Sequence, residues 1–134
     1  MIKSNGRIKT DVYEVIKGSA LHAAVSGKLS KRVRPAGSNL EDIVVSVLSS
    51  GSGQIQEAFV NVNIYVPDIQ ENKAYVINDV RVDELDEMAI DILEVHNGYD
   101  FRFEIDFQEV SKVDGKNEHC IYKKILYKQC NEKI

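Results

Sequence analysis

Residues 54–67, QIQEAFVNVNIYVP, decide the fold. Ala58, Val60, Val62, Ile64 and Val66 occupy every second position, with Phe59, Asn61, Asn63 and Tyr65 between them. A period of two turns these sets to opposite faces of a β-strand running from about Gln54 to Val66. Pro67 has no N–H to give a ladder, so the strand stops there. Just upstream, IVVSVL at 43–48 is a continuous β-branched run of the kind found in strands covered on both faces. The SSGSG at 49–53 that joins the two is a turn, too short to link domains, and together these segments predict a β-hairpin of two long strands.

Working outward, TDVYEVIKGSALHAAV from Thr10 reads as an amphipathic helix. Thr10 or Asp11 is its cap, Glu14 lies in its first turn, Val12, Val15, Ile16, Ser19, Ala20 and Ala23 share one face, and it ends before Gly27. Leu29, Lys31 and Val33 then alternate with Ser30, Arg32 and Arg34 as a short exposed strand, ended by Pro35 and a turn at 36–39. On the other side, residues 68–80 read as a loop with a short extended piece around Tyr75–Ile77. A second helix begins near Val82, where Asp83, Glu84, Asp86 and Glu87 sit at the positive end of the helix dipole. Val82, Leu85, Ala89, Ile92 and Leu93 form its apolar stripe, and Asn97-Gly98 is a left-handed stop. Phe101, Phe103, Ile105 and Phe107 alternate with Arg102, Glu104, Asp106 and Gln108 as a strand, Asp114-Gly115 marks a hairpin turn, and a last strand covers His119–Lys128.

The expected fold is therefore α+β: a mostly antiparallel sheet of four to five strands with two helices packed on one face, in the order α-β-β-β-α-β-β. A chain of 134 residues with 43% hydrophobic and 28% charged residues is expected to be one domain, 1–134. Residues 1–9 are expected to be a flexible lead-in and 129–134 a flexible tail. No stretch approaches the ~20 apolar residues of a membrane span, and no apolar run follows the first charged residues, so neither secretion nor membrane insertion is expected. Cys120 and Cys130 lie in or beside one extended segment ten positions apart, too far for a disulfide at roughly 3.3 Å per residue. They read as free thiols of a reducing compartment.

The charge is unevenly distributed. Residues 1–35 hold eight Lys/Arg against Asp11 and Glu14, whereas 36–108 hold three against fifteen acids. A basic head and an acidic middle are complementary faces for self-association or docking.

Catalytic chemistry finds no foothold. His22, His96 and His119 fall in three different elements with no metal-ligand spacing, so no metal and no cofactor are expected. His119 and Cys120, adjacent in a strand, point to opposite faces and make no couple. SSGSG has no following helix or Lys to cradle a phosphate. Lys28, Lys31, Arg32 and Arg34, four cations in seven residues, form the candidate recognition patch. The stretch has no aromatic residue for base stacking and the pI is about 5.4, which favours an acidic protein surface over nucleic acid.

The succession of GKLSKRVRPAGSNLEDIVVSV, QEAFVNVNIYVPDI, VDELDEMAIDILEV, FRFEIDFQEV and HCIYKKILYK resembles the tail-completion, or tail-terminator, proteins of tailed bacteriophages and prophages. The likeness runs from about Asp11 to Lys128 and rests on element order, length and the punctuating Gly27, Pro35, Gly37 and Pro67. It implies a non-enzymatic virion subunit, assembled in the bacterial host cytoplasm into a ring, typically of six copies. That ring caps the tail tube and meets tube and neck, or head-completion, proteins. The alternatives are another head–tail connector component, or a nucleic-acid-binding accessory module using residues 28–34.

Overall fold

A computed structural model describes residues 2–51 and 56–130, with the backbone alone of Ser49. The expected turn at 49–53 and the start of the 54–66 strand fall partly outside the described residues, as do residues 131–134 of the expected tail.

The alternating stretch forms β3 (Glu57–Pro67), whose residues Ala58, Val60, Val62, Ile64 and Val66 are buried while their neighbours are half-buried. It lies antiparallel between β2 (Ile43–Ser50) and β8 (Glu118–Gln129). β8 continues antiparallel to β7 (Phe101–Lys112), and β7 to β6 (Val95–Asn97). β1 (Leu29–Ser30) joins β2 in parallel, giving a six-stranded sheet in the order β1-β2-β3-β8-β7-β6. A separate hairpin pairs β4 (Ile69–Glu71) with β5 (Ala74–Val76). The helices are α1 (Asn5–Lys17), α2 (Ala20–Ala24) and α3 (Asp79–Leu93).

This corrects the expected fold class. Among the described residues the sheet has six strands, not four to five. It is mixed, because β1 runs parallel to β2; a second, two-stranded sheet stands beside it, and the described residues form three helices rather than two. Each difference has a local cause. Ser4 caps α1 by accepting the Arg7 N–H, so the helix starts at Asn5 and residues 5–9, expected as a lead-in, form its first turns. Asp11, expected as a cap, is instead buried in mid-helix. Gly18 ends α1, and the Ser19 side chain accepts the His22 N–H to start α2, so one expected helix is two. Asn72 and Lys73 both take positive φ (51° and 66°) and fold the expected 68–80 loop into the β4–β5 hairpin. Asn78 caps α3 through the Arg81 N–H, four residues before Val82. Past α3, Asn97-Gly98 is the turn of the β6–β7 hairpin rather than a helix stop, with Gly98 N–H bonded to Phe101 C=O.

The core lies on one face of the sheet. Ile8, Val12 and Ile16 of α1 and Val82, Leu85, Ala89 and Leu93 of α3 pack over Ile43, Val45, Val60, Val62, Ile64, Ile121 and Ile125. Lys123 shares that face of β8, buried at 1% exposure, with its ammonium on Asp86 of α3 and Gln108 of β7. Lys3 docks the N-terminal segment by donating to Asp11 (2.7 Å), Asp100 (2.6 Å) and the buried Tyr127 hydroxyl (2.8 Å). Tyr127 in turn donates to Asp11 at 2.6 Å.

Gly27 is where the α2–β1 connection presses on β2. Its N–H bonds Glu41 C=O at 2.9 Å, and a Cβ there would stand 2.5 Å from that oxygen and inside the Asp42 carboxylate. Gly27→Ala is expected to cost about 1–3 kcal/mol in a denaturant titration. Gly6→Ala, where a Cβ meets only Ser4 Oγ at 3.9 Å, is expected to be neutral or stabilising. Equal effects would remove the close approach at Gly27 as a constraint.

Candidate interaction surfaces

Of the four cations in the expected patch, two are exposed, one packs half-buried against α1 and one turns inward. Lys28 and Arg32 are exposed. Lys31 is half-buried, its ammonium 5.0 Å from the Tyr13 ring centre and 3.2 Å from Thr10 Oγ1. Arg34 turns away from them with a side chain only 14% exposed. It donates to Asp42 Oδ2 at 3.0 Å and to Glu118 Oε2 at 2.5 Å, and its guanidinium lies 4.1 Å from the Tyr65 ring centre. Ser38 Oγ–H also donates to Asp42, at 2.5 Å, and the Lys28 N–H donates to Asp42 Oδ1 at 2.9 Å. The group thus ties the 31–42 loop to the start of β2 and the start of β8, across the sheet face that the helices leave bare.

Burial alone disfavours the charges of Arg34 and Asp42, and their partners outweigh it. Desolvation pulls the Arg34 pKa down, but the hydrogen bonds and charges of Glu118 and Asp42 hold it above its ordinary value. Desolvation likewise raises the Asp42 carboxyl, yet Ser38, the Lys28 amide and Arg34 bring it below the carboxylate norm. A second knot repeats the pattern. Arg81 of α3 grips Glu41 through two hydrogen bonds (2.7 and 2.8 Å), which lowers the Glu41 pKa against the opposing effect of burial.

The remainder of the bare face is aromatic. Lys124 Nζ sits 4.3 Å above the Phe59 ring, Tyr122 donates to Asn61 at 2.7 Å, and the Phe107 and Tyr122 rings lie 6.1 Å apart. Phe107 reaches this face because β7 slips register between Ile105 and Phe107. The slip breaks the expected alternation and sends Phe107, 49% exposed, away from the core that Phe103 and Ile105 join. Residues 106–112 of β7 are all exposed. The acidic, aromatic strip of Asp106, Phe107, Glu109 and Val110 was hidden in the sequence because one strand period was read straight through Asp106.

The sheet order also places the uneven charge in space. α1 packs on β1, β2 and β3, whereas α3 packs on β6, β7 and β8. The basic head thus lies over one half of the sheet. Over the other half, residues 79–129 hold thirteen acids against seven Lys/Arg, the lysines of β8 among them.

The histidines stay apart. His22 Nδ1–H donates to Lys17 C=O at 3.0 Å, His96 stacks against both Phe101 and Phe103, and His119 bonds Asp68 at 2.7 Å. Among the described residues no cluster of three or more His, Cys, Asp or Glu has metal-site geometry, and no helix is long and apolar enough to cross a membrane. Both cysteines are free; burial pushes the Cys120 thiol up to about 12.

No protein-family model matches this chain, and no curated protein matches it.

The knots make stability depend on acid. Because the folded pKa values of Asp42 and Glu41 lie below their ordinary 3.8 and 4.5, their contribution is complete above about pH 4.5. It is lost as pH falls through 3.8 and below. Denaturant midpoints are expected to be flat from neutrality to that point and to fall beneath it; a midpoint that rises on acidification would contradict the assignment. Arg34→Ala, which strands two buried carboxylates, is expected to cost about 3–5 kcal/mol at neutral pH.

Proposed function

We propose that this chain is a structural subunit of tail-completion type, which associates head to tail into a closed ring at the end of a phage or prophage tail tube. The reading starts from the family resemblance of its sequence. The observation that carries it is the charge polarity of the fold: a net excess of basic residues over the β1–β2–β3 half of the sheet and a net excess of acidic residues over the β8–β7–β6 half. A molecule with opposite charges at opposite ends favours contact of unlike patches on successive copies. Such heterologous contact closes a ring when the rotation between copies permits.

Lys28, Lys31 and Arg32 supply the basic patch in this reading, and Arg34 serves by holding the 31–42 loop in place. The aromatic face around Phe59, Tyr122 and Phe107 offers a second surface, suited to a tube or neck protein. A nucleic-acid module is less well supported. Two exposed cations and the half-buried Lys31 share the molecule with a net-acidic second half, and removal of Arg34 to the interior weakens the cluster a phosphate backbone needs.

Light scattering on the purified protein, alone and with the tail-tube protein, tests the reading. A discrete oligomer is expected at low salt or on addition of tube protein, loosening as salt screens the charged contacts. A monomer indifferent to salt and to tube protein would overturn it. Salt-sensitive retention on DNA, abolished by Lys28→Gln, Lys31→Gln and Arg32→Gln together, would favour the nucleic-acid reading instead.

A further inference from the structure

The two edges of the six-stranded sheet are stepped, and the steps are complementary. At the first edge β1 covers β2 only at Ile43 and Val44, so among the described residues Val45–Ser50 have no strand beyond them. At the other edge β6 covers β7 only from Arg102 to Glu104, leaving 106–112 without an outer neighbour. The short strands stand at opposite ends of their edges. Leu29 of β1 lies in a row that runs through Ile43, Ile64 and Ile121 to Val110 of β7. Val95 of β6 lies in another, through Glu104, Leu126 and Phe59 to Ser49 of β2. Each edge thus has a notch where the other has a strand.

From this we infer that, in the head-to-tail ring proposed above and resting on that reading, β1 of a second copy seats against residues 106–112 of β7. One mixed sheet then continues across the joint, antiparallel where β7 meets β1, with β6 of the first copy filling the notch above β1 of the second and running parallel to its β2. Direction, hydrogen bonding, side-chain facing and charge all agree with this joint.

β1 runs with β2, and β2, β3, β8 and β7 alternate in direction, so β1 and β7 are antiparallel when copies repeat in the same orientation. Lys28 C=O accepts from the Ile43 N–H at 2.9 Å, so in this parallel pair Leu29 turns its own N–H and C=O outward. Val113 N–H donates to Glu118 C=O across the β7–β8 hairpin, and by alternation Val110 also turns N–H and C=O outward. Two residues at the same level, each with both backbone groups free, make a hydrogen-bonded antiparallel pair. Leu29 packs on the helix-covered face, and Val110, opposite Ile121, projects from that face at 39% exposure. On the bare face the same register sets Ser30 against Glu109. Lys28 and Arg32, two positions either side of Ser30, then become the diagonal neighbours of that carboxylate, and Arg32 comes over Phe107.

Disulfide trapping tests the joint. Leu29→Cys and Val110→Cys are combined in one chain carrying Cys130→Ser, with Cys120 left buried. Within a chain the two sites are four strand spacings apart, about 19 Å, so only neighbouring copies can link them. Mild oxidation is expected to give a ladder of covalent multimers from the double variant and none from either single one. Dimers from Val110→Cys alone would show a two-fold β7–β7 contact and overturn the inference. An oligomer that scatters as such yet gives no ladder would overturn the joint and leave the ring reading standing; a protein that neither assembles nor cross-links would overturn both. Val110→Pro, in the otherwise unchanged chain, removes an outward N–H that no intrachain bond uses. It is expected to keep the monomer fold by circular dichroism and lose assembly; assembly equal to that of the unchanged chain would also overturn the joint.

Discussion

The pairing of β3 with β8 is the constraint on which the remaining structure depends. Eleven residue pairs run without a break from Glu57–Lys128 to Pro67–Glu118. A slip of one residue would send Val60, Val62 and Ile64 to the bare face and Asn61 and Asn63 under the helices. With that register set, α1 and α3 have one apolar surface to cover, and each takes the half nearest to it in the chain. The opposite face is left to side chains that tolerate water, and both ends of the sheet are left as edges. The features on which the proposed assembly draws are thus consequences of one strand pair and its alternation.

Part of the bare face is closed by charge rather than by apolar packing. Arg34, Asp42 and Glu118 draw the 31–42 loop over Tyr65 and leave Val44 and Cys120 only 9% exposed. Ion pairs this buried gain little net stability over an apolar equivalent, but losing one partner is severe because the remaining charges stay desolvated. Their value here is positional. The Lys28 amide is held by the same Asp42 that Arg34 holds, so the basic segment and β1 stand in fixed relation to the sheet.

The central strands, both long helices and the β7–β8 turn could be read from the sequence because each is announced by several consecutive side chains: the alternation at 58–66, the stripes at 12–16 and 82–93, Asp114-Gly115. What escaped reading was decided by single residues competing with equal neighbours. Ser4 competes with Thr10 as a cap, and nothing local ranks them; Ile8, one turn before Val12, tips the choice by entering the core. Asn72-Lys73 makes a left-handed turn without glycine, and the slip after Ile105 has no marker in FRFEIDFQEV. Of the recognition patch, the cluster was visible, but the fate of Arg34 was set by Glu118, eighty-four positions away, and no local pattern carries that distance.

Edges this open call for an explanation. Proteins that stay single blunt such edges or cover them, and here seven exposed residues of β7 carry Phe107 and Val110 with only a register slip and a few charges to guard them. In the proposed ring the matching notch and basic strand of a second copy supply the cover. Residue-resolved amide exchange, comparing the assembled with the dissociated protein, tests this most directly. Leu29, Gln108, Val110 and Lys112 are expected to exchange quickly in the monomer and slowly in the assembly, while the β3 and β8 amides stay slow in both. Assembly that leaves those four amides as fast as before would contradict the account.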